Sequence, residues 1–253
     1  MWKAWIRKDV IASLDMNRVL LLVVFFCLLL FGGIRYCYEV PVSQAFLDAY
    51  AAKVNEIEAE QALFEDRWRK QHTGRATLLK EAKKVIYKRL TKDIFPAWKG
   101  TKWDFNGTTT TPRRGKIACG YFVTTTLKQV GWSLPRRKLA QEPSSSIIHS
   151  FCLPKSIKYW ANLKQLEQHL NTYEQGLFIL GLDTHVGYVW VEAGKHYFVH
   201  ASRSGKNSVQ LEPIQEARVV LKSKTLMLGN LLDNKVIIKK WIQRQPVAMR
   251  KAS

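Results

Sequence analysis

Three residues of the chain combine a nucleophile with two groups that can accept or relay its proton. Cys119 follows a loop rich in glycine, threonine and proline, and it occupies the first turn of a predicted amphipathic helix. A helix N-terminus carries partial positive charge and unpaired N–H groups, which favour a thiolate over a thiol. His185 and His200 lie downstream, in two runs of β-branched and aromatic residues that are typical of strands. These residue types indicate nucleophilic catalysis by a thiol.

Each of the three residues also has a purely structural interpretation. Free cysteine is among the residue types most often buried in cores, and a single histidine in a strand is ordinary. A disulfide between Cys119 and Cys152 is an open alternative that would block the nucleophile. Cys27 and Cys37 form no C-x-x-C pair, so no metal site and no cofactor are predicted. The remaining histidines are interpreted as incidental: His72, His149, His169 and His196.

A predicted β-hairpin brings the two candidate histidines together. If residues 192–195 form its loop, Val191 lies opposite His196, and the same register places His200 opposite Gly187. His185 is two residues from Gly187 and therefore on the same face of the sheet. The two histidines become diagonal neighbours, with backbones roughly 7–8 Å apart, which is within reach of their side chains. One imidazole can then take the thiol proton while the other fixes its orientation and tautomer.

The elements around these residues predict an α+β fold, with helices first and an antiparallel sheet after them. Apolar residues at helical spacing predict helices over residues 43–71, 77–90, 119–130 and 154–170. In the helix that begins at Cys119, the apolar face comprises Phe122, Val123, Leu127 and Val130, and Gly131 is placed to end it. Strands are predicted over residues 177–182, 185–191, 196–201, 219–221, 225–228 and 235–241. Residues 95–116 are predicted to form a loop, and residues 135–146 a basic, serine-rich connection.

The N-terminal part of the chain predicts a membrane anchor. Residues 19–34 form an apolar run without a charge, and basic residues precede it. A cleaved signal peptide is the alternative, although no small-residue cleavage site follows the run. The predicted organisation is therefore a cytoplasmic tail at 1–18, a transmembrane signal anchor at 19–38, helices at 39–92 that form a stalk or pack on the main domain, a catalytic domain at 93–245 and a basic tail at 246–253.

Composition narrows the class of protein further. The 47% hydrophobic and 11% aromatic content exclude a disordered chain, and the formal charge of +20 favours polyanionic partners. Anionic lipid, acidic cell-wall polymer and nucleic acid are all polyanions. Nucleic acid is not expected, because the chain has no recognisable binding motif and is predicted to be membrane-anchored.

The chain resembles the NlpC/P60 family of cysteine peptidases, which have a papain-like core. The resemblance lies in a cysteine at a helix start, the segment H-V-G-Y-V-W-V from His185 and the segment Y-F-V-H-A-S that contains His200, and it covers residues 98–241. It implies Cys119 as nucleophile, His185 as base and His200 as the residue that orients the base. The chain has Ala-Cys-Gly where the family usually has Asp-Cys-Ser, and residues 103–107 lack the tyrosine that the family often carries upstream.

The resemblance implies hydrolysis of peptide or amide bonds, with stem peptides of peptidoglycan as the expected substrate. Trp103, Phe105 and Gly120 are the expected substrate-binding residues, and the Gly120 N–H is placed to serve an oxyanion. The expected location is the inner membrane, with the N-terminus inside, the catalytic domain in the periplasm and membrane lipid contacted through the anchor. Two alternatives stay open: a lipid-directed thiol acyltransferase or amidase on the same fold, and a non-catalytic cell-wall-binding scaffold. The oligomeric state is not predicted.

Overall fold

The computed structural model describes residues 42–71 and 73–251. Val42–Ser253 forms one compact unit. The predicted tail at 1–18 and the predicted anchor at 19–38 lie outside the described residues. Within the described part of the chain, no helix is both long enough and apolar enough to cross a membrane.

The helices occupy the N-terminal half and the flanks of the sheet. They are α1 (Gln44–Lys70), α2 (Arg75–Lys88), a π-helical turn (Arg89–Ile94), α3 (Phe95–Trp98), α4 (Cys119–Gln129), α5 (Arg136–Ala140), α6 (Ser144–Phe151), α7 (Leu163–Leu170), α8 (Arg218–Leu221) and α9 (Lys235–Ile242). Short 3₁₀ turns cover Pro154–Ser156 and Ile214–Glu216. The first helix begins where predicted, because the Ser43 hydroxyl accepts a hydrogen bond from the Phe46 N–H.

Eight strands in the described residues form one sheet. They are β1 (Lys102–Trp103), β2 (Lys116–Ile117), β3 (Ile157–Trp160), β4 (Gln175–Gly181), β5 (Val186–Glu192), β6 (Lys195–Ser202), β7 (Ser208–Pro213) and β8 (Leu226–Asn230). Their order is β2-β1-β7-β6-β5-β4-β8-β3. The fold is thus α+β, but the sheet is mixed rather than antiparallel, because β1 and β2 pair in parallel at one edge. The connection between them returns the chain in the same direction, which a tight hairpin cannot do.

Two predicted strands are wrong and are helices. Residues 235–241 lie in α9, and residues 219–221 lie in α8. The β-branched run in α9 is typical of a strand, but the Asn234 side chain accepts hydrogen bonds from the N–H groups of Val236 and Ile237. This N-cap starts the helix, and packing of its apolar face onto the core stabilises it.

Three further predictions of local structure need correction. The helix predicted over residues 154–170 is instead a strand, β3, followed by the helix α7. The side chain of Asn162 caps the start of α7 by accepting a hydrogen bond from the Gln165 N–H. The loop predicted from residue 95 begins with the helical turn α3, and the connection at 135–146 contains α5 and the start of α6. Each is a short element, and its stability comes from tertiary contacts more than from its own sequence.

The sheet separates two groups of buried side chains. The larger group joins α1, α2, α3, α4, α6 and α9 to one face of the central strands, where Ile179, Tyr188 and Val199 are fully buried. The smaller group lies on the other face, where α7 packs against Phe178, Leu180 and other alternate residues. Because α1 and α2 share a core with α4 and the sheet, these two helices of the predicted segment 39–92 pack on the domain that carries Cys119.

Candidate active site

All of the predicted site residues except His200 line one open cleft of about 800 Å³. Cys119, Gly120, His185, Trp103 and Phe105 all contribute to its walls. Trp103 is partly buried, whereas Phe105 is 79% exposed and forms a lip of the cleft. His200 is not part of the wall; it is buried behind His185. The structure therefore brings together residues that lie up to about a hundred positions apart in the sequence.

Cys119 is held at the first turn of α4, as the sequence predicts. The loop before it is anchored by a hydrogen bond from the Ala118 N–H to the Gly107 carbonyl (2.9 Å). Gly120 is required at the next position, since a Cβ there would overlap the Ala140 carbonyl oxygen. The predicted apolar face of the helix is buried, and Gly131 follows the helix with φ of 110°. The predicted start of the helix at Cys119 and its predicted end before Gly131 are both confirmed.

The hairpin between β5 and β6 has the predicted register. Val191 pairs with His196 as predicted. Glu192 also pairs with Lys195, so the loop predicted over residues 192–195 is a two-residue turn, Ala193-Gly194. Both turn residues have positive φ (49° and 71°), which matches a type I′ turn.

Gly187 provides the space that the second histidine occupies. A Cβ at Gly187 would lie 2.8 Å from the Cβ of His200 and 2.7 Å from the ring of Phe198. Any side chain at this position would therefore displace the His200 imidazole or its neighbour. The glycine opposite His200 in the predicted register thus leaves room for that residue.

The two imidazoles form a hydrogen-bonded relay that ends on a carboxylate. His185 Nε2 lies 2.8 Å from His200 Nδ1, and His200 Nε2 lies 2.9 Å from Glu212 Oε1. A carboxylate only accepts hydrogen bonds, so the proton of neutral His200 resides on Nε2. His200 Nδ1 then accepts from His185 Nε2–H. This assignment leaves Nδ1 of His185 with a free lone pair, as a general base needs.

Glu212 is the site residue that the sequence analysis missed. It lies on β7, where Gln210 pairs with His200 and Glu212 is two positions further along. Residues two apart share a face, so Glu212 is a diagonal neighbour of His200. The alternation in residues 208–213 carries this signal, but the pairing of β6 with β7 is needed to use it.

The thiol is next to the strand that follows His185. Backbone N–H groups of Val186, Gly120 and Cys119 itself hydrogen-bond the sulfur and lower the pKa of the Cys119 thiol, but burial outweighs them and raises it. The expectation that the helix N-terminus favours a thiolate is therefore not met in the free protein. Desolvation of the sulfur is the larger effect.

Burial also keeps the two imidazoles neutral. Burial, together with repulsion from His200, lowers the pKa of His185 to about 3. Burial also lowers the pKa of His200, and the hydrogen bond and charge of Glu212 oppose that effect. The resting cleft thus holds a neutral thiol and a neutral imidazole, and Glu212 favours any positive charge that develops on the relay.

Other predicted features are placed clearly by the structure. Cys119 and Cys152 are both free, so the disulfide alternative is excluded, and Cys152 is fully buried against Gly229. His149, His169 and His196 do not line the cleft, and His72, Cys27 and Cys37 lie outside the described residues.

Comparison of the chain with protein-family models, curated protein sequences and solved structures found no match.

Proposed function

We propose that this protein is a cysteine hydrolase of the NlpC/P60 type, with a papain-like arrangement of the Cys119 helix on the sheet, and that it cleaves peptide or amide bonds. The observation that carries the proposal is the relay from His185 through His200 to Glu212, with contacts of 2.8 and 2.9 Å, beside a cysteine in the same cleft.

In the proposed reaction, a substrate carbonyl binds over Cys119. The thiol proton passes to Nδ1 of His185 as the sulfur attacks the carbonyl carbon. The developing imidazolium is stabilised through His200 by the carboxylate of Glu212. The N–H of Gly120 at the start of α4, which contacts the sulfur in the free protein, would serve the oxyanion once the sulfur has attacked. His185 then returns the proton to the leaving amine, and water releases the acyl group with His185 again acting as base.

The proposed substrate is a stem peptide of peptidoglycan. The sequence resemblance supports this choice, and the charge of +20 suits an acidic wall polymer. With residues 19–38 as a signal anchor, the proposed location is the inner membrane, with the domain that carries Cys119 in the periplasm.

A direct assay distinguishes the hydrolase from its two alternatives, the lipid-directed acyltransferase and the non-catalytic scaffold. Purified full-length protein is incubated with peptidoglycan, and released fragments are identified by mass spectrometry. New amine and carboxyl ends support the hydrolase. Transfer of an acyl group from lipid vesicles without peptide release would favour the acyltransferase, and binding without any product would favour the scaffold.

Cys119→Ala is the decisive variant in that assay. It removes a small sulfur from a half-buried helix start, so the fold is expected to persist while activity falls to background. Cys152→Ala is the matched control, because it removes the other described thiol from the core and leaves the cleft intact. Equal fragment release by wild type and Cys119→Ala would refute the assignment of the nucleophile.

A further inference from the structure

A second groove, separate from the cleft that holds Cys119, is formed by two adjoining cavities of about 530 and 300 Å³. Tyr173, Asn230 and Asp233 line both cavities, so they mark the place where the two meet. The walls come from α2, the end of α7, the start of α9 and the strands β4 and β8. None of the described residues that line this groove also lines the cleft. A ligand can therefore occupy the groove and leave the cleft free.

Lysine side chains surround the groove, and no arginine is among its described lining residues. Lys83 pairs with Asp233 at 3.2 Å, and Asp233 is the one carboxylate in the described lining. The other lysines are exposed and form no ion pair within the described part of the chain: Lys80, Lys84, Lys155, Lys158 and Lys235. We call the groove that these five residues line the lysine groove. Because a concave surface with one sign of charge concentrates the potential, it favours an anion.

The place where the cavities meet adds two uncharged donors. Asn230 is only 7% exposed, and its Oδ1 accepts a hydrogen bond from the Leu232 N–H at 3.1 Å. Its Nδ2 has no partner among the described residues, so both N–H donors are open to a ligand. The Tyr173 hydroxyl is likewise without a partner in the residues that the structure describes, although ring contacts with His169 and Phe178 fix its position. Since buried polar groups are normally hydrogen-bonded, the Asn230 amide indicates a ligand with acceptor oxygens.

The kind of donor favours phosphate over carboxylate. Lysine binds phosphate as a compact point charge, whereas paired recognition of a carboxylate is a property of the planar arginine fork. Each of the two cavities has its own unpaired lysines, which suits a ligand with more than one phosphate. A bilayer presents its phosphates in a flat layer, and that geometry does not match lysines on the walls of a groove. The lysine groove is therefore suited to a chain rather than to a membrane surface.

We propose that the lysine groove binds a flexible chain that carries phosphate groups at intervals. Lys155, Lys158 and Lys235 contact phosphates in the larger cavity, and Lys80 and Lys84 contact them in the smaller one. Asn230 and Tyr173 donate to the phosphate between the two cavities. The site is distinct from the cleft that holds Cys119, and the inference does not rest on the proposed hydrolase activity. It assigns the protein a second ligand, which would hold it on a phosphorylated polymer.

Binding of inorganic polyphosphate tests the lysine groove directly. An end-labelled polyphosphate chain is titrated with purified full-length protein, and its fluorescence anisotropy gives Kd at several salt concentrations. Lys155→Gln/Lys158→Gln/Lys235→Gln removes the unpaired charges of the larger cavity. Because exposed charge pairs are individually weak, we expect Kd to rise by roughly tenfold at low salt and its salt dependence to become shallower.

A matched control removes three exposed lysines that lie outside the groove: Lys88→Gln/Lys128→Gln/Lys195→Gln. Its net charge equals that of the groove variant, so its Kd should stay close to that of wild type. Tyr173→Phe removes only the hydroxyl and should raise Kd by roughly two- to fivefold. A wild-type Kd in the groove variant, or an equal rise of Kd in both lysine variants, would overturn the site.

Three other probes test the class of ligand. Polyglutamate of equal charge should bind more weakly than polyphosphate, and equal affinity would overturn the preference for phosphate. If phosphatidylglycerol vesicles bound in a groove-dependent way and polyphosphate did not bind, the ligand would be a membrane surface and not a chain. Tighter binding of a single-stranded oligodeoxynucleotide than of polyphosphate of equal charge would show that bases contribute, and would replace the assignment with nucleic acid. None of these readouts involves Cys119, so loss of the hydrolase proposal would leave them unchanged.

Discussion

The carboxylate of Glu212 is the part of the relay whose removal gives the most specific result. Glu212→Gln keeps the shape of the side chain and keeps an oxygen that can accept from His200 Nε2, which lies 2.9 Å away. It removes the negative charge, and its amide can also rotate to donate. A donated hydrogen bond would reverse the tautomer of His200, so that His200 Nδ1–H would donate to His185 Nε2. His185 would then carry its own proton on Nδ1, which would have no lone pair to accept the thiol proton.

The magnitude follows from the kind of hydrogen bond that is lost. A hydrogen bond to a charged group contributes about 1.5–3 kcal/mol and a neutral one about 0.5–1.5 kcal/mol. The difference, roughly 1–2 kcal/mol, applies when the relay becomes positively charged in the transition state. Since 1.36 kcal/mol is about tenfold in rate, we expect kcat to fall by about five- to thirtyfold with little change in KM.

The assay is the initial rate of release of one identified fragment, measured across pH. Glu212 raises the pKa of His200 through its hydrogen bond and its charge. Without it, protonation of the relay needs a lower pH, so the acid limb of kcat/KM should move down in pH. Glu216→Gln is the control, because Glu216 is an exposed residue of the following 3₁₀ turn. Wild-type kcat and an unmoved acid limb in Glu212→Gln would refute the tautomer argument.

Three further predictions concern the same hairpin. Gly187→Ala should displace the His200 ring and destabilise the fold by about 1–3 kcal/mol, measured by urea unfolding. It should also lower kcat more than it raises KM. A wild-type kcat in this variant would show that activity does not depend on the position of the His200 ring. Because the pKa of His185 is lowered from 6.5 to about 3, the unfolded chain binds the extra proton below pH 6.5, so this residue should lower stability by about 2 kcal/mol between pH 7 and pH 5. His185→Gln should remove that contribution and leave the one from His200, whose pKa burial also lowers. An unaltered pH dependence of stability would contradict the buried neutral ring of His185. For His200, the expected order of decreasing activity is wild type, then His200→Asn or His200→Gln, then His200→Ala, then His185→Ala. Activity is measured as initial rates, with circular dichroism to confirm folding. A wild-type rate for His200→Ala would show that His200 does not orient His185.

The geometry of the two histidines was open to prediction because a hairpin is a local structure. Once the turn between β5 and β6 is located, the register follows from counting, and Val191 opposite His196 places His200 beside Gly187. The start of α4 at Cys119 was equally local, since one apolar face and one glycine define it. Both depend on residues within about fifteen positions of each other.

The errors fall where local pattern and tertiary packing disagree. The run at 235–241 contains valine and isoleucine in a helix, because burial against α1 and α2 and the cap at Asn234 outweigh a preference for strands that spans only about 1 kcal/mol. Glu212 was not predicted as a site residue, for a different reason. Its partner is fixed by the pairing of β7 with β6, and the turn of residues 203–207 gives no signal of that register as clear as Ala193-Gly194.

The charge state of the site is the property furthest from what the sequence alone can predict. The dipole of α4 was expected to favour the thiolate, and a helix N-terminus contributes about 0.3–1 kcal/mol, which is less than one pKa unit. Burial acts on Cys119 in the opposite direction and prevails, and it also keeps His185 neutral. Burial depends on segments that are distant in sequence, among them α5, the start of β5 and the loop before Cys119, so it is a property of the whole fold. In the proposed mechanism, the thiol would gain its reactivity when a bound carbonyl and the relay to Glu212 stabilise the charge together. In the free protein, its reaction with neutral iodoacetamide should be slow at pH 6 and rise with pH.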